Sequence, residues 1–445
     1  MSALATPGPA ERLAEIAPQL VDPRVGVVQT LEEVPRDAGA PNFFHFAARA
    51  SNTAAFTRQA NFRETGGAAA GRLAAAAKAI GEAVERYCSA IYDVEELPLH
   101  SYDDAPFPCV APDEFALYSR EQFGREGFPW VPFVRDTKVR WTPAREALTG
   151  EEVYLPAARV YMPYAYYIGT GDAPIDQPIS TGLACHLGWS NAALSAACEV
   201  VERDAVLITW QAMLAFPQIR IETLSDRSYD LVQRFERTGS FVVMLNITLD
   251  HGIPTILSVL RGRSASSPAI VVAAAAAPDP EEAARKSLEE LAHSRRYCQF
   301  VATHMPRLEP DPPDYESVRD QLTHLRFYVD HENAHLAEFL FSSAERQDFD
   351  ELSSIATGSA AGDLRAVADR IASVGERLLL TDLTTPDVAA LGLSVVRAVV
   401  PGFHPLHMGF GLRSLGGRRL WEVPKVLGFA GIPPGGDNPA PHPYP

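Results

Sequence analysis

The pattern E-x-x-E-R occurs twice in the sequence, as "GEAVERY" at residues 81–87 and as "EVVERDA" at residues 199–205. On a helix, residues three and four apart share a face, so each pattern would place two glutamates and one arginine together. The second pattern lies between "AALSAAC" and "AVLITW", whose apolar character on nearly every side is typical of a buried helix. Buried carboxylates are costly unless cations neutralise them, and one arginine for two glutamates is too little.

Four converging carboxylates suit a hard divalent cation, above all Mg²⁺, which a few carboxylates can hold while it keeps positions for phosphate oxygens. The doubled pattern therefore predicts two helices that hold a metal-bound polyphosphate between them, with the arginines facing the phosphates. The residues of this predicted site are Glu82, Glu85, Arg86, Glu199, Glu202 and Arg203. The alternative interpretation is a solvated helix face on which Glu and Arg four residues apart stabilise the helix.

A standard nucleotide loop is not predicted. In "GGAAAGRL", Gly66 and Gly71 have Walker A spacing, but Arg72 and Leu73 stand where Lys and Ser or Thr are required. We interpret this glycine-rich stretch as a loop that leads into a helix, where backbone amides could still meet phosphate.

The elements that would position these side chains alternate along the chain. Helices are predicted at residues 72–91, 191–210 and 281–300, the last with Asp279 as its N-cap. Short, partly β-branched strands are predicted at residues 240–249, 254–262 and 269–277. The fold class is therefore predicted to be α/β (α+β). From residue 431 onward, proline and glycine predict polyproline II or coil.

Composition limits the classes of function. The chain has 445 residues, 47% of them hydrophobic, and a formal net charge of −17, which disfavours binding to nucleic acid or to an anionic membrane. It has no apolar run long enough to span a bilayer and no signal-peptide pattern at its start, so we expect a cytoplasmic protein. Its five cysteines include no C-x-x-C pair, as expected for core residues in a reducing compartment.

Three segments carry a resemblance to a known family. "AAAAKAIGEAVERYCSAIYD", "STGLACHLGWSNAALSAACEVVERDAVLITW" and the ending "TDLTTPDVAALGLSVVRAVVPGFHPLH…NPAPHPYP" together resemble the YcaO family, ATP-dependent enzymes that activate peptide-backbone amides. The resemblance implies a YcaO-type fold, with helices packed on mixed sheets in a single large catalytic domain. The implied boundaries are an N-terminal segment at residues 1–22, the catalytic domain at 23–432 and a Pro-rich tail at 433–445.

The resemblance also implies cofactors and residue roles. ATP and Mg²⁺ are the implied cofactors, and the metal ligands would be Glu82, Glu85, Glu199 and Glu202. The segment "SLEELAHSR" resembles a further family segment, which implies that Glu290 and Arg295 contact the nucleotide. The resemblance makes the final P-x-P-x-P and Arg295 candidates for a catalytic role; the prolines concerned are Pro441, Pro443 and Pro445.

The chain departs from the family pattern at three places. Gly67, Ala68 and Ala69 stand where Gly-Lys-Gly is usual, Lys78 replaces a small polar residue, and Thr181 replaces an Asn. Loss of the loop lysine removes one phosphate contact. Either Lys78 or Arg72 replaces it, or the site is weakened.

The implied function is an ATP-dependent cyclodehydratase that forms thiazoline or oxazoline rings from Cys, Ser or Thr in a ribosomally made precursor peptide. The implied partners are that peptide, an E1-like or ThiF-like protein that binds its leader, and an FMN-dependent azoline dehydrogenase, in a hetero-complex or with the chain as a homodimer. The alternatives are a family member that makes thioamides from sulfide and, in a different class, a non-catalytic scaffold subunit.

Two further features are open to more than one interpretation. "HENAH" at residues 331–335 matches the H-E-x-x-H pattern of zinc peptidases. The alternative interpretation is a solvated helix start capped by Asp330. Arg397 lies in the apolar run "LSVVRAVVPG", and a buried arginine is expected to face an anion, here either the nucleotide or a structural carboxylate.

Overall fold

The computed structural model describes residues 8–166, 171–264, 267–309, 312, 314–433 and 436–445. Within these residues the chain forms fourteen strands. They are β1 (Val28–Glu33), β2 (Phe44–Ala50), β3 (Glu64–Ala69), β4 (Leu99–His100), β5 (Val139–Glu146), β6 (Glu152–Pro156), β7 (Leu183–Leu187), β8 (Gln218–Ile219), β9 (Phe241–Asn246), β10 (Thr255–Arg261), β11 (Ile270–Ala276), β12 (Arg346–Gln347), β13 (Leu379–Asp382) and β14 (Leu393–Val399).

The same residues form ten α-helices. They are α1 (Pro9–Leu20), α2 (Arg72–Cys88), α3 (Arg120–Phe123), α4 (Trp189–Gln211), α5 (Asp226–Glu236), α6 (Pro280–His304), α7 (Gln321–Phe327), α8 (Ala360–Ser373), α9 (Pro386–Ala389) and α10 (Arg418–Val426). None of the helices in the described residues is both long and apolar enough to cross a membrane.

The strands form three sheets. One has the order β1-β2-β3, a second has the order β11-β10-β9-β8-β12, and the third has the order β4-β5-β13-β14-β7 with β6 paired to β5. Every named strand pair is antiparallel except β8 and β12, which are parallel, so the second sheet is mixed. With the helices packed on these sheets, the predicted α/β (α+β) class is confirmed in its α+β form.

The three predicted helices and three predicted strands are all present, with ends shifted by a few residues. They correspond to α2, α4 and α6 and to β9, β10 and β11. The predicted cap of α6 is confirmed, because the Asp279 side chain accepts a hydrogen bond from the Glu281 N–H at 3.1 Å. Pro280 follows in the first turn, where its missing N–H costs nothing.

The predicted glycine-rich loop before α2 is wrong, since residues 64–69 form β3. Gly67 explains why. A Cβ at this position would lie 2.6 Å from the Ala75 carbonyl oxygen and 2.6 Å from the Ala79 nitrogen, so only glycine lets the strand pack directly on α2. The close packing of strand on helix replaces the loop that the glycines suggested.

Helix α4 lies at the centre of the protein. It packs against β7 and β14 of the third sheet and against β10 and β11 of the second. Fifteen of its 23 residues are buried, which agrees with the apolar sequence on either side of the second E-x-x-E-R. A helix in this position carries its glutamates into the interior, where they need neutralising partners.

The zinc-peptidase interpretation of "HENAH" is wrong. His331–Phe341 is a 3₁₀ helix, in which residues four apart do not share a face, so the two imidazoles diverge. His331 Nε2 hydrogen-bonds backbone carbonyls of Ser264 (3.0 Å) and Ser267 (3.1 Å). The predicted cap by Asp330 is also wrong, because its side chain accepts from Arg326 at 2.9 Å instead.

Candidate functional site

The two E-x-x-E-R patterns lie on α2 and α4, and both helices pack against β7. On α2, Arg86 Nη2 donates to Glu82 Oε1 at 3.1 Å, and the backbone N–H of Gly66 donates to Glu82 Oε2 at 3.0 Å. Glu85 points to the edge of the third sheet, where it accepts from the Cys185 N–H at 2.8 Å. Hydrogen bonds thus join the glutamates of the first E-x-x-E-R to strands β3 and β7.

On α4, a single arginine holds both glutamates of the second pattern. Arg203 Nη2 donates to Glu199 Oε1 at 3.1 Å, and Arg203 Nη1 donates to Glu202. The Tyr444 hydroxyl donates to Glu202 and accepts from Arg203, and the guanidinium lies 4.7 Å from the centre of the Tyr444 ring. The C-terminal tail therefore contacts the second pattern directly.

One glycine brings α4 close to the third sheet. Gly182 has φ = +80°, and a Cβ there would lie 2.3 Å from the Ala398 carbonyl oxygen and 2.7 Å from Val200 Cγ2. Only glycine both adopts this positive φ readily and leaves room for the close approach of α4 and β14. Its backbone N–H lies close enough to the Glu199 carboxyl to oppose the rise in the pKa of that group that burial causes, so Glu199 lies beside the residue that precedes β7.

Burial dominates the electrostatics of three of the glutamates. It raises the pKa of Glu85 well above the usual value, and it raises the pKa of Glu202 to about 7 although Arg203 opposes the shift. The pKa of Glu199 is raised by burial too, against the charges of Arg203 and Arg86. Carboxylates in this condition gain stability from any additional cation.

A third helix, α6, completes the polar region. Lys78 on α2 bonds Glu290 at 2.8 Å and Glu289 at 3.2 Å. Burial opposes charge on these groups, but their mutual attraction prevails: the pKa of Lys78 is raised and that of Glu290 is lowered. Arg72 instead bonds Glu33 at 2.6 Å on the surface. Lys78 and Arg72 were the two residues expected to replace the missing loop lysine, and of these Lys78 is the one that lies beside the predicted site.

Arg295 is not brought to the four glutamates by the contacts described. It lines a small pocket with Asp37 and His45, and its Nε has no hydrogen-bond partner in the described residues. Burial lowers its pKa, against the charge of Asp37. Its neighbours outside α6 come from the loop before β2 and from β2 itself, which have no recognisable motif, so no sequence signal indicated them.

The Pro-rich tail has no helix or strand in its described residues, as predicted, but it is buried. Pro441 and Pro443 are buried, and Pro445 is half-buried. Three polar side chains from outside the tail bond its backbone, and one tail side chain bonds a backbone carbonyl outside it. Trp210 donates to the Ala440 carbonyl (2.9 Å), Tyr328 to the Pro441 carbonyl (2.6 Å) and His324 to the His442 carbonyl (2.9 Å), while His442 Nε2 bonds the His407 carbonyl (2.8 Å).

Sequence reasoning missed several residues of this region. Glu289 on α6 pairs with Lys78, and His293 on α6 pairs with Glu290. The adjacent glutamates in "SLEELAHSR" were the sequence signal that could have indicated Glu289. Asp204, directly after Arg203, is completely buried and bonded by Arg419, which also bonds Asp250 at 2.7 Å. Only the fold brings these partners together, because more than 200 residues separate Asp204 from Arg419.

The residues fit Mg²⁺ together with a polyphosphate. Within the described ranges, no three His, Cys, Asp or Glu side chains converge to form a metal cage by themselves. Mg²⁺ is commonly held by one or two carboxylates plus phosphate oxygens, so buried glutamates with raised pKa values and adjacent arginines suit a metal that arrives with phosphate. Arg203 Nε also has no partner among the described residues. Of the four predicted ligands, Glu82, Glu199 and Glu202 are bound by an arginine and Glu85 by the Cys185 N–H, and their role as ligands remains a prediction.

Comparison with known proteins agrees with this chemistry. The family model described as YcaO cyclodehydratase, ATP- and Mg²⁺-binding, matches residues 66–404. An uncharacterised protein of Methanothermobacter thermautotrophicus is 27% identical over 363 residues, which make up 78% of this chain and 85% of that protein.

Two solved structures share the fold. A heterocyclase in complex with substrate and cofactor matches 98% of this chain with a TM-score of 0.78 and 21% identity, and this chain spans 57% of the heterocyclase chain. YcaO from Methanopyrus kandleri, bound with AMPPCP and Mg²⁺, matches 89% of this chain and 91% of its own, with a TM-score of 0.64 and 20% identity. At these identities the two structures establish the fold alone.

Proposed function

The chain belongs to the YcaO family, and on that premise we propose that it is a cytoplasmic, ATP-dependent cyclodehydratase that forms thiazoline or oxazoline rings in a ribosomally made peptide. The observation that best supports this proposal is the contact of the tail with the second E-x-x-E-R. Tyr444, in the final P-x-P-x-P, bonds both Glu202 and Arg203. The tail thereby contacts two of the residues that we propose to bind ATP and Mg²⁺.

The reaction explains why the site is rich in carboxylates and poor in nucleophiles. A Cys, Ser or Thr side chain of the peptide adds to the preceding carbonyl carbon, and the resulting oxygen cannot leave at neutral pH. When bound, Mg²⁺–ATP supplies the γ-phosphoryl group that converts this oxygen into a phosphate leaving group. The protein then has to position the reactants and neutralise charge.

Each part of the site has a proposed task. The glutamates of the two E-x-x-E pairs hold the metal, and Arg86 and Arg203 neutralise phosphate charge. Lys78, fixed by Glu290 at 2.8 Å, supplies the cation that the family's loop lysine would otherwise provide. Arg295 remains a proposed nucleotide residue, with its unpartnered Nε as support. The tail, with Pro441, Pro443 and Pro445, positions Tyr444 against the site.

The partners are part of the proposal. We propose that an E1-like or ThiF-like protein binds the leader of the precursor peptide, and that an FMN-dependent azoline dehydrogenase oxidises the rings. The domain boundaries at residues 22 and 432 are likewise proposals. Co-purification with proteins encoded by neighbouring genes tests the partners directly.

Mass spectrometry tests the function. The chain is incubated with Mg²⁺–ATP, the leader-binding partner and the precursor peptide encoded beside its gene. The proposal predicts loss of one water per ring and stoichiometric ADP. A gain in mass from exchange of oxygen for sulfur would assign the chain to the thioamide-forming branch. Absence of ATP turnover with peptide would assign it the scaffold role.

A further inference from the structure

A narrow cleft, partly open to solvent, lies between the end of β14, the loop after it and the segment before β7. Four buried side-chain atoms that line it lack a hydrogen-bond partner among the described residues: Arg159 Nε, Thr181 Oγ1, Arg397 Nη1 and His404 Nδ1. Unpartnered buried polar atoms are costly and uncommon, so their convergence on one cleft indicates a ligand.

Arg397 is the strongest indication. It is 5% exposed and donates to two backbone carbonyls, those of Arg159 at 3.0 Å and Ile179 at 2.7 Å. No carboxylate forms an ion pair with it in the described part of the chain, and its Nη1 has no partner there, so the structural-carboxylate interpretation is wrong and the nucleotide interpretation stays a prediction. Burial, with the nearby charge of Arg159, lowers its pKa to about 9. A buried guanidinium of this kind gains most from an oxygen acceptor placed at its free Nη1.

The cleft adjoins the carboxylate site. Thr181 precedes Gly182, whose N–H lies close enough to the Glu199 carboxyl to act on its pKa, and Val200, which follows Glu199, lines the cleft. The loop at residues 401–408 separates the cleft from the tail: His404 and Leu406 line the cleft, while the carbonyl of His407 bonds His442. A ligand in the cleft therefore lies beside both the proposed phosphate site and the tail.

The lining indicates what kind of ligand fits. Asp176 pairs with Arg159, and Glu199 acts on Arg397, so most of the positive charge is already balanced. The other walls are largely apolar, with Ile179, Val200 and Phe403 among them. A polyphosphate would need more net positive charge. Neutral carbonyl groups flanked by apolar surface fit this combination of donors and walls.

We propose that this cleft binds the peptide segment that reacts, with Arg397 and Thr181 donating hydrogen bonds to its backbone carbonyl oxygens. The inference rests on the proposed function, since it assigns the peptide a place beside the phosphate site. Thr181 then has a task of its own at a position where the family usually has Asn.

Binding of a blocked dipeptide tests the cleft. Saturation-transfer NMR with the full chain, ADP and Mg²⁺ measures the affinity of acetyl-glycyl-cysteine methylamide. Thr181→Val and Arg397→Lys should each weaken binding about tenfold, as expected for loss of a buried hydrogen bond. Thr209→Val and Arg140→Lys are matched controls, because both residues are buried, have an unpartnered polar atom and lie outside the cleft. These controls should leave the affinity unchanged.

Several results would overturn the proposal: no saturable binding to the wild-type chain, equal binding by all four variants, or loss of ADP affinity in place of peptide affinity in Thr181→Val. Because Thr181→Val is nearly isosteric, it keeps the test valid even if Arg397→Lys fails to fold. The proposed function fails separately. If the peptide binds but no ATP-dependent loss of water follows, the proposed peptide site stands and the proposed cyclodehydratase function fails. If rings form but the variants bind the peptide as tightly as the wild-type chain, the function stands and the proposed peptide site fails.

Discussion

The charged side chains of the site find their partners both within one helix and across the fold. Glu82 bonds Arg86 within its own helix, as spacing predicts. Lys78 and Glu290, by contrast, are 212 residues apart and meet only because α2 and α6 pack beside the first sheet. A lysine inside a helix gives no indication of the carboxylate that it will meet.

Loss of a single carboxylate charge should be severe. Glu82→Gln and Glu202→Gln each keep the side-chain shape but remove the charge that would hold the metal. We expect ATP turnover to fall about 100-fold or more in each variant. Glu338→Gln is the control, because Glu338 pairs with Arg261 on the surface. Steady-state ADP release measures the effect, and near-normal turnover in both site variants would exclude a metal shared by the two helices.

The substitution of Lys78 tests the replacement of the family lysine. Lys78→Ala removes the cation beside Glu290, and we expect the KM for ATP to rise about tenfold, since hydrogen bonds to charged groups contribute about 1.5–3 kcal/mol. Lys286→Ala on α6, where Lys286 lies 3.5 Å from Glu282, serves as control. An unchanged KM together with a lowered melting temperature would make Lys78 a purely structural residue.

At the element scale, the ending "PHPYP" illustrates how far sequence reasoning reaches. Proline spacing excludes helix and central strand, and the described residues of the tail contain neither. What the sequence could not give is the place where the tail docks, since its partners Trp210, His324 and Tyr328 lie on distant elements. The same limit applies to the glycine-rich strand β3, whose packing on α2 overrides the usual preference of glycine for loops.

Tyr444 should link the tail to activity. Tyr444→Phe removes one hydroxyl that donates to a buried carboxylate, so we expect about a tenfold loss of ring formation with little change in melting temperature. Tyr164→Phe is a matched control, because the Tyr164 hydroxyl also donates to a carboxylate, that of Asp172, outside the site. Equal rates for Tyr444→Phe and the wild-type chain would show that the tail contributes only packing.

The tail should also make stability depend on pH. His324 Nε2 accepts from the Gly409 N–H at 3.0 Å, which only a neutral imidazole can do, and burial lowers the pKa of His324 to about 4. The unfolded chain, with an ordinary histidine pKa near 6.5, binds this proton more readily. The stabilisation is therefore complete above about pH 6.5 and is lost as pH falls toward 4, by at most about 1.4 kcal/mol per pH unit.

Urea unfolding between pH 7 and pH 4.5 measures this dependence. His324→Asn should make the loss of unfolding free energy with falling pH shallower by about one proton, whereas His304→Gln, at an exposed position, should leave the slope unchanged. Identical slopes in the wild-type chain and His324→Asn would mean that other groups govern the acid response.

At the scale of the whole molecule, the central position of α4 between two sheets unites the site. It carries one E-x-x-E-R, contacts the β7 edge that holds Glu85, and meets the tail through Arg203. The sequence predicted this helix and its burial from its apolar flanks. It could not predict that the described residues would form three sheets, because strand pairing such as β14 with β7 joins residues some 200 positions apart.

In the proposed reaction, the peptide carbonyl oxygen leaves as phosphate. The most direct test uses a precursor peptide that carries ¹⁸O in the carbonyl before the reacting Cys, Ser or Thr, together with Mg²⁺–ATP and the leader-binding partner. We expect one labelled inorganic phosphate for each ring formed, and loss of the label from the peptide. Ring formation with unlabelled phosphate, or ATP hydrolysis that leaves the label in an unchanged peptide, would contradict the account.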